Sequence, residues 1–114
     1  MAEVIWTEFA LADLDDIGEY IAKDSVRYAE LTVAKLFESP DILELNPQAG
    51  KMVPELQNES FRQLIMGSYR IIYHVVDEYR IDILTVHRSS RLLSNTYDFE
   101  NFVNEYKATR PNIK

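Results

Sequence analysis

The chain has 114 residues, 46% hydrophobic and 27% charged, with no cysteine and a formal net charge of −7. That composition fits one globular domain and excludes a disordered chain, a disulfide framework and any thiolate nucleophile or metal site. The acidic total argues against direct bulk DNA or RNA binding, which needs lysine and arginine to release counterions. No apolar run approaches the roughly 18 residues of a membrane span, and no basic-then-apolar leader precedes the domain, so the expected location is the cytoplasm.

The charge is unevenly spread. Residues 1–60 hold 13 acidic and 4 basic side chains, and residues 61–114 hold 6 acidic and 8 basic. The second part is therefore mildly basic despite the total, and a local cationic surface remains open.

In chain order, "VIWT" (4–7) is β-branched and aromatic and predicts a first strand. Thr7 is a cap candidate, and Ala10, Leu14, Ile17 and Ile21 recur at helical spacing, which predicts a helix over 8–23. Ser25 caps a second helix marked by Val26, Ala29, Val33 and Leu36. Pro40 cannot sit inside an unbroken helix, so a kink or a fresh start capped by Ser39 is expected there. "NPQAGKMVPE" (46–55), with two prolines and a glycine, reads as a loop. "FRQLIM" (61–66), "YRIIYHVV" (69–76) and "YRIDILTV" (79–86) read as three antiparallel strands joined by Gly67-Ser68 and Asp77-Glu78. Phe99, Phe102, Val103 and Tyr106 mark a last helix that ends before Pro111. The expected fold is α+β in the order β-α-α-β-β-β-α, a helical hairpin packed on a small antiparallel sheet, all in a single domain.

Two-residue turns fix a register. Position 66 then faces 69 and 62 faces 73; position 76 faces 79, so 70 faces 85 and 74 faces 81. One face holds Leu64, Met66, Tyr69, Ile71, Tyr73, Val75, Leu84 and Val86, with Arg62, Arg80 and Asp82 toward one end. The other holds Phe61, Ile65, Ile72, Ile81 and Ile83 together with Gln63, Arg70, His74, Thr85 and His87. Arg70, Thr85, His87 and Gln63 converge on one end of that second face, from which Arg88 and Arg91 leave.

The plain alternative is a set of structural charges. A central-strand arginine is rarely buried without a partner, so Arg70 is open to pairing with Asp98 or Glu100 of the last helix. His74 reads as a core histidine or a partner contact, Arg62 and Arg80 as edge charges, and Tyr69, Tyr73 and Tyr79 as sheet packing. Histidine at i,i+4 from the helix carboxylates is lacking, so neither a metal centre nor a cofactor site is expected.

"ALADLDDIGEYIA" (10–22), "NPQAGKMVPEL" (46–56), "FRQLIMGSYRIIYHV" (61–75) and "IDILTVHRSSR" (81–91) together resemble the RelE/ParE superfamily of toxins from type II toxin–antitoxin modules. The combination of P-x-x-G-x-x-V-P-E, "YRIIY" and H-x-x-R ending at Arg91 carries the likeness. The resemblance implies the fold order already read and a cognate antitoxin as partner. Its target would be DNA gyrase, bound without hydrolytic chemistry as by ParE-like members, or the ribosome, where RelE-like members cut messenger RNA. An inactive fold that only binds antitoxin is a third reading.

RNA cleavage by 2′-hydroxyl attack needs a base, an acid and cations around the phosphate. RelE-like members carry lysines on the strand before the first sheet turn and an arginine on the next strand; Arg70 matches that arginine and Arg62 stands in for the first lysine, but Leu64 occupies the place of the second. Arg62 and Arg70 also point to opposite faces, and "TVHRSSR" resembles the ParE-like ending. The ParE-like branch is therefore expected. The candidate binding residues are Arg62, Arg70, Tyr73, His87, Arg88, Arg91 and Tyr97. Arg70, His87 and Arg91 would be catalytic if the chain is a nuclease, with His87 as acid or base near neutral pH.

Overall fold

In a computed structural model, residues 1–89 and 96–109 are described, with side chains from 100 to 108 in the second stretch. The elements are β1 (Glu3–Trp6), α1 (Glu8–Ala22), α2 (Val26–Glu38), a 3₁₀ segment (Ser39–Glu44), β2 (Lys51–Met52), β3 (Phe61–Met66), β4 (Tyr69–Asp77), β5 (Arg80–Arg88) and α3 (Thr96–Thr109).

Local chemistry sets most of these boundaries. Thr7 accepts a hydrogen bond from the Ala10 amide at 3.2 Å, and its hydroxyl donates to the Ile83 carbonyl at 2.7 Å. One side chain thus starts α1 and ties it to β5. Ser25 accepts from the Tyr28 amide at 3.0 Å and starts α2. At Pro40 the chain does make a fresh turn, but Ser39 does not cap it; the Ser39 hydroxyl donates back to the Leu36 carbonyl at 3.0 Å. Gly67 takes φ +60°, the left-handed value that the first central residue of a type II′ turn requires.

The five strands form one mixed sheet in the order β1-β5-β4-β3-β2. The expectation of a purely antiparallel sheet needs correcting at both edges. The first strand pairs parallel with β5, Val4 opposite Ile81 and Trp6 opposite Ile83. At the other edge Lys51 and Met52, inside the segment read as a loop, pair with Gln63 and Arg62.

The β3–β4 register is the one expected, with Met66 opposite Tyr69 and Arg62 opposite Tyr73. The β4–β5 register is not. Asp77 faces Arg80 around a Glu78-Tyr79 turn, and shifts lie at Ile72/Tyr73 and between Val75 and Asp77. Arg70 therefore faces His87 rather than Thr85, and His74 faces Asp82 rather than Ile81. A bulge adds a residue to one strand only, so faces swap beyond it.

The helical hairpin covers one face. Its core gathers Ala10, Leu14, Leu36 and Leu43 with Ile71, Tyr73, Ile81, Ile83 and Val86. Ile81 and Ile83 belong here and Leu84 to the other side, the reverse of the simple alternation. Thr85 also turns to the hairpin: its hydroxyl and the Val86 amide donate to one oxygen of Asp13, at 2.5 and 2.9 Å. On the second face a smaller cluster joins Val53, Phe61, Ile72, Leu84 and Val103, flanked by Leu56, Phe102 and Tyr106. α3 thus closes part of that face.

Candidate functional site

The second face carries the polar groups. Beside its small apolar cluster lie the buried side chains of Arg70, His74 and Asp82. A sheet face tolerates such groups only when each is paired.

Arg70 is paired four ways. Its Nη1 and Nη2 donate to the two carboxylate oxygens of Glu55 at 3.1 and 3.0 Å. Its Nε and Nη2 donate to the side-chain oxygen of Gln63 at 2.9 and 2.6 Å. The guanidinium side chain is 7% exposed and that of Glu55 17%. Burial pushes the Glu55 carboxyl up, but the hydrogen bond and charge of Arg70, with His87 close by, outweigh it and hold the group below its usual range. Arg70 is therefore in an internal ion pair, as the plain alternative expected. Its partner comes from the loop before β3 rather than from Asp98 or Glu100.

That loop is set by neighbouring residues. The Tyr73 hydroxyl donates to the Pro47 carbonyl and accepts from the Gly50 amide, both at 2.9 Å. The Arg62 guanidinium donates to the Gly50 and Glu59 carbonyls at 2.9 and 3.0 Å. A Cβ on residue 50 would collide with the Gln63 carbonyl and lie 2.7 Å from the Tyr73 hydroxyl, so only glycine fits. Val53 is fully buried and its amide donates to the Phe61 carbonyl at 2.9 Å. Glu55 is left to reach over β3 toward Arg70. The P-x-x-G-x-x-V-P-E pattern is thus one device: proline carbonyl and glycine at the clamp, valine in the core, glutamate on the arginine.

A second network ties α3 to the sheet. Arg80 Nε donates to Asp82 at 2.7 Å, and the Tyr106 hydroxyl donates to the other Asp82 oxygen at 2.6 Å. His74 Nδ1 meets the same hydroxyl at 2.8 Å, so this nitrogen carries the proton that Tyr106 accepts. The imidazole also stacks on Phe61, centroids 4.2 Å apart. His74 and Arg80 are therefore structural, although Arg80 is an ion-pair member rather than a solvated edge charge.

Of the candidate residues, the fold brings Arg70 and His87 into register, sets Gln63 on Arg70 as expected, and adds Glu55. Glu55 was missed because a lone glutamate in a proline-rich loop carries no periodicity; the neighbouring V-P-E motif was its only signal. Arg62 and Tyr73 do not join the site. They face the helical hairpin, where Tyr73 is fully buried, so Tyr73 serves the fold and is corrected as a binding residue. Arg88, opposite Tyr69, is exposed on the hairpin side beside Asp13, Asp16 and Tyr20. Arg91 and the Tyr97 side chain lie outside the described residues. Among the described residues, no group of three or more His, Asp or Glu is placed to hold a metal ion. Nor is any described helix long and apolar enough to cross a membrane.

Chemically, the site is a desolvated guanidinium paired with a carboxylate, with His87 in register on the next strand. Residues 4–93 match the family model of the ParE toxin of the type II toxin–antitoxin system parDE. The chain is 30% identical over 92 residues to Toxin RelE2 of Caulobacter vibrioides, covering 81% of this chain and all of that one. Its fold resembles a chromosomal ParDE toxin–antitoxin system from P. aeruginosa, with a TM-score of 0.64, 25% identity and coverage of 77% of this chain and 96% of the other.

Proposed function

This chain belongs to the ParE toxin family of type II toxin–antitoxin systems, and on that premise we propose that it arrests growth by binding DNA gyrase rather than by cutting RNA. The observation that carries this reading is the state of Arg70. Its side-chain donor bonds go to Glu55 and Gln63, and Arg62 lies across the sheet with its guanidinium on backbone carbonyls. A phosphate in the transition state wants several converging cations, and among the described residues the two strand arginines of this face, Arg70 and Arg80, are each already paired with a carboxylate. A binding surface has no such need. Purified protein is expected to inhibit gyrase supercoiling, and His87→Ala is expected to keep most of that inhibition. Untouched supercoiling at saturating protein would end the proposal.

One observation favours the nuclease reading. Glu55 and His87 flank Arg70, which would place a proton acceptor and a proton donor on either side of a phosphate. That reading predicts messenger RNA cleavage on programmed ribosomes, abolished by Glu55→Gln and by His87→Ala. Intact transcripts in that assay leave binding alone.

Neutralisation by a cognate antitoxin belongs to the same proposal. The outer groove of the hairpin, about 810 Å³, is lined by Leu11, Leu14, Val26, Val33 and Phe37 and edged by Asp15, Glu19 and Glu30. It fits an amphipathic antitoxin helix with basic flanks. Glu19→Lys with Glu30→Lys is expected to weaken antitoxin binding while growth arrest persists; unchanged affinity would move the antitoxin elsewhere.

A further inference from the structure

Arg70 is one of the candidate binding residues, yet its fork is already full. Each of its two terminal nitrogens meets one oxygen of the same carboxylate, at 3.1 and 3.0 Å. A planar fork taking both oxygens of a carboxylate is the geometry of a carboxylate receptor. The receptor and its occupant come from different kinds of structure. Gln63 and Arg70 stand on the neighbouring strands β3 and β4, Gln63 opposite Ile72 and bonded diagonally to Arg70, so the ladder fixes both. Glu55 stands on a loop turn that also holds Gln57 at φ +52°, a left-handed value that non-glycine residues rarely adopt. Its backbone is anchored by Val53, but only its side chain reaches the fork.

We infer that Arg70 and Gln63 form a carboxylate receptor in which Glu55 is a built-in occupant, exchanged for an acidic side chain of the target protein when the toxin docks. The inference rests on the binding reading above. Without Glu55 the free toxin would hold a desolvated guanidinium facing only an amide oxygen, which is costly. With it, Arg70 stays paired until a second carboxylate arrives, and the displaced Glu55 turns to solvent. Each docking event must first break the Glu55 pair, so Glu55 lowers affinity for the target while it preserves the receptor.

The site favours a carboxylate over a phosphate group. A phosphate would gain from a second strand cation converging on Arg70, but Arg62 is on the other face and Arg80, on this one, is held by Asp82. Beside the receptor, in register with Arg70, Ile65 is 58% exposed, an apolar rim suited to a protein surface.

The test compares wild type, Glu55→Gln, Glu55→Asp and Arg70→Lys for binding to purified gyrase, with thermal unfolding measured alongside. Glu55→Gln keeps the size of the side chain and removes its charge. It is expected to bind gyrase about tenfold more tightly, a change of roughly 1.4 kcal/mol, even if it melts lower. Arg70→Lys, which keeps the charge and loses the fork, is expected to bind at least about tenfold more weakly. Glu55→Asp, one methylene short of the fork, is expected to fall between wild type and Glu55→Gln. In parallel, the Arg70 Nε–H resonance of Glu55→Gln is titrated with acetate and with inorganic phosphate at matched ionic strength. A shift with acetate that wild type does not show supports the receptor. Equal or weaker gyrase binding by Glu55→Gln, with wild-type inhibition intact, overturns the exchange. A response to phosphate with none to acetate overturns the assignment of a carboxylate and turns the site toward RNA. If wild type does not bind gyrase but acetate still moves Arg70 in the variant, the receptor stands and the choice of target falls.

Discussion

The two faces of the sheet are built on different principles. The hairpin face is closed by aliphatic packing, with Leu36, Leu43, Ile71, Ile81 and Ile83 all fully buried. Among the described residues, the second face has a small apolar cluster and is completed by charges: Arg70 on Glu55, and Asp82 between Arg80 and Tyr106. Apolar packing rewards any close fit, whereas a buried ion pair returns little net stability and fails badly when one member is lost. The first face holds the fold, and the second keeps polar chemistry in place at a cost.

Substitutions separate the two. The largest effect is expected on the hairpin face, where Ile71→Ala or Ile83→Ala should cost about 2–5 kcal/mol by denaturant unfolding, since a cavity forms among side chains that cannot collapse. A loss well under that range would mean the core lies elsewhere. On the second face, Arg70→Ala strands a carboxylate and should cost about 3 kcal/mol, whereas Arg70→Met paired with Glu55→Leu should be nearly neutral. If the double variant is as unstable as the single one, the pair holds the fold together and the contrast between faces fails. Gly50→Ala should cost about 1–3 kcal/mol, because the added methyl drives into the Gln63 carbonyl and opens the Tyr73 clamp. Tyr106→Phe removes the hydroxyl shared by His74 and Asp82 and should cost about 1 kcal/mol. Hydrogen exchange should speed up in α3 and leave α1 unchanged.

The smallest effects are in pH dependence, and the faces oppose one another. Glu55 titrates low, so its contribution is present above its unfolded value of about 4.5 and is lost as pH falls through the folded value. Asp13, on the hairpin side, titrates high because burial outweighs its bonds to Thr85 and Val86. Its contribution is complete below its unfolded value near 3.8 and shrinks as pH rises through the folded one. Glu55→Gln should therefore flatten the acid limb of a stability–pH curve, and Asp13→Asn should remove a decline on the rising side. Curves identical to wild type would show that neither carboxyl differs between the folded and unfolded chain.

The hairpin face was largely legible in the sequence. Helical spacing from Ala10 to Leu36, the Thr7 and Ser25 caps and the Gly67 turn are local signals, and they set α1, α2 and the β3–β4 register. The second face was less so, because it depends on two bulges and a loop. A strict period of two assigns Ile81 and Ile83 to the wrong side, since nothing in "YRIIYHVV" marks Val76 as an added residue. The opposition of Arg70 and His87 followed from that displacement, and Glu55 from a backbone clamp that only the folded chain assembles. Parallel pairing of β1 joins residues some 77 positions apart, which no local pattern reports.

That parallel pairing also orders events at birth. The first strand leaves the ribosome early and has no neighbour until β5 emerges, for Thr7 is bonded to Ile83 across 76 residues of chain. The sheet's central strands follow the helical hairpin in translation, so a nascent chain cannot finish the sheet before β5 has been made. Incomplete products, cut short by a stalled or broken message, would lack a finished sheet and with it any poison.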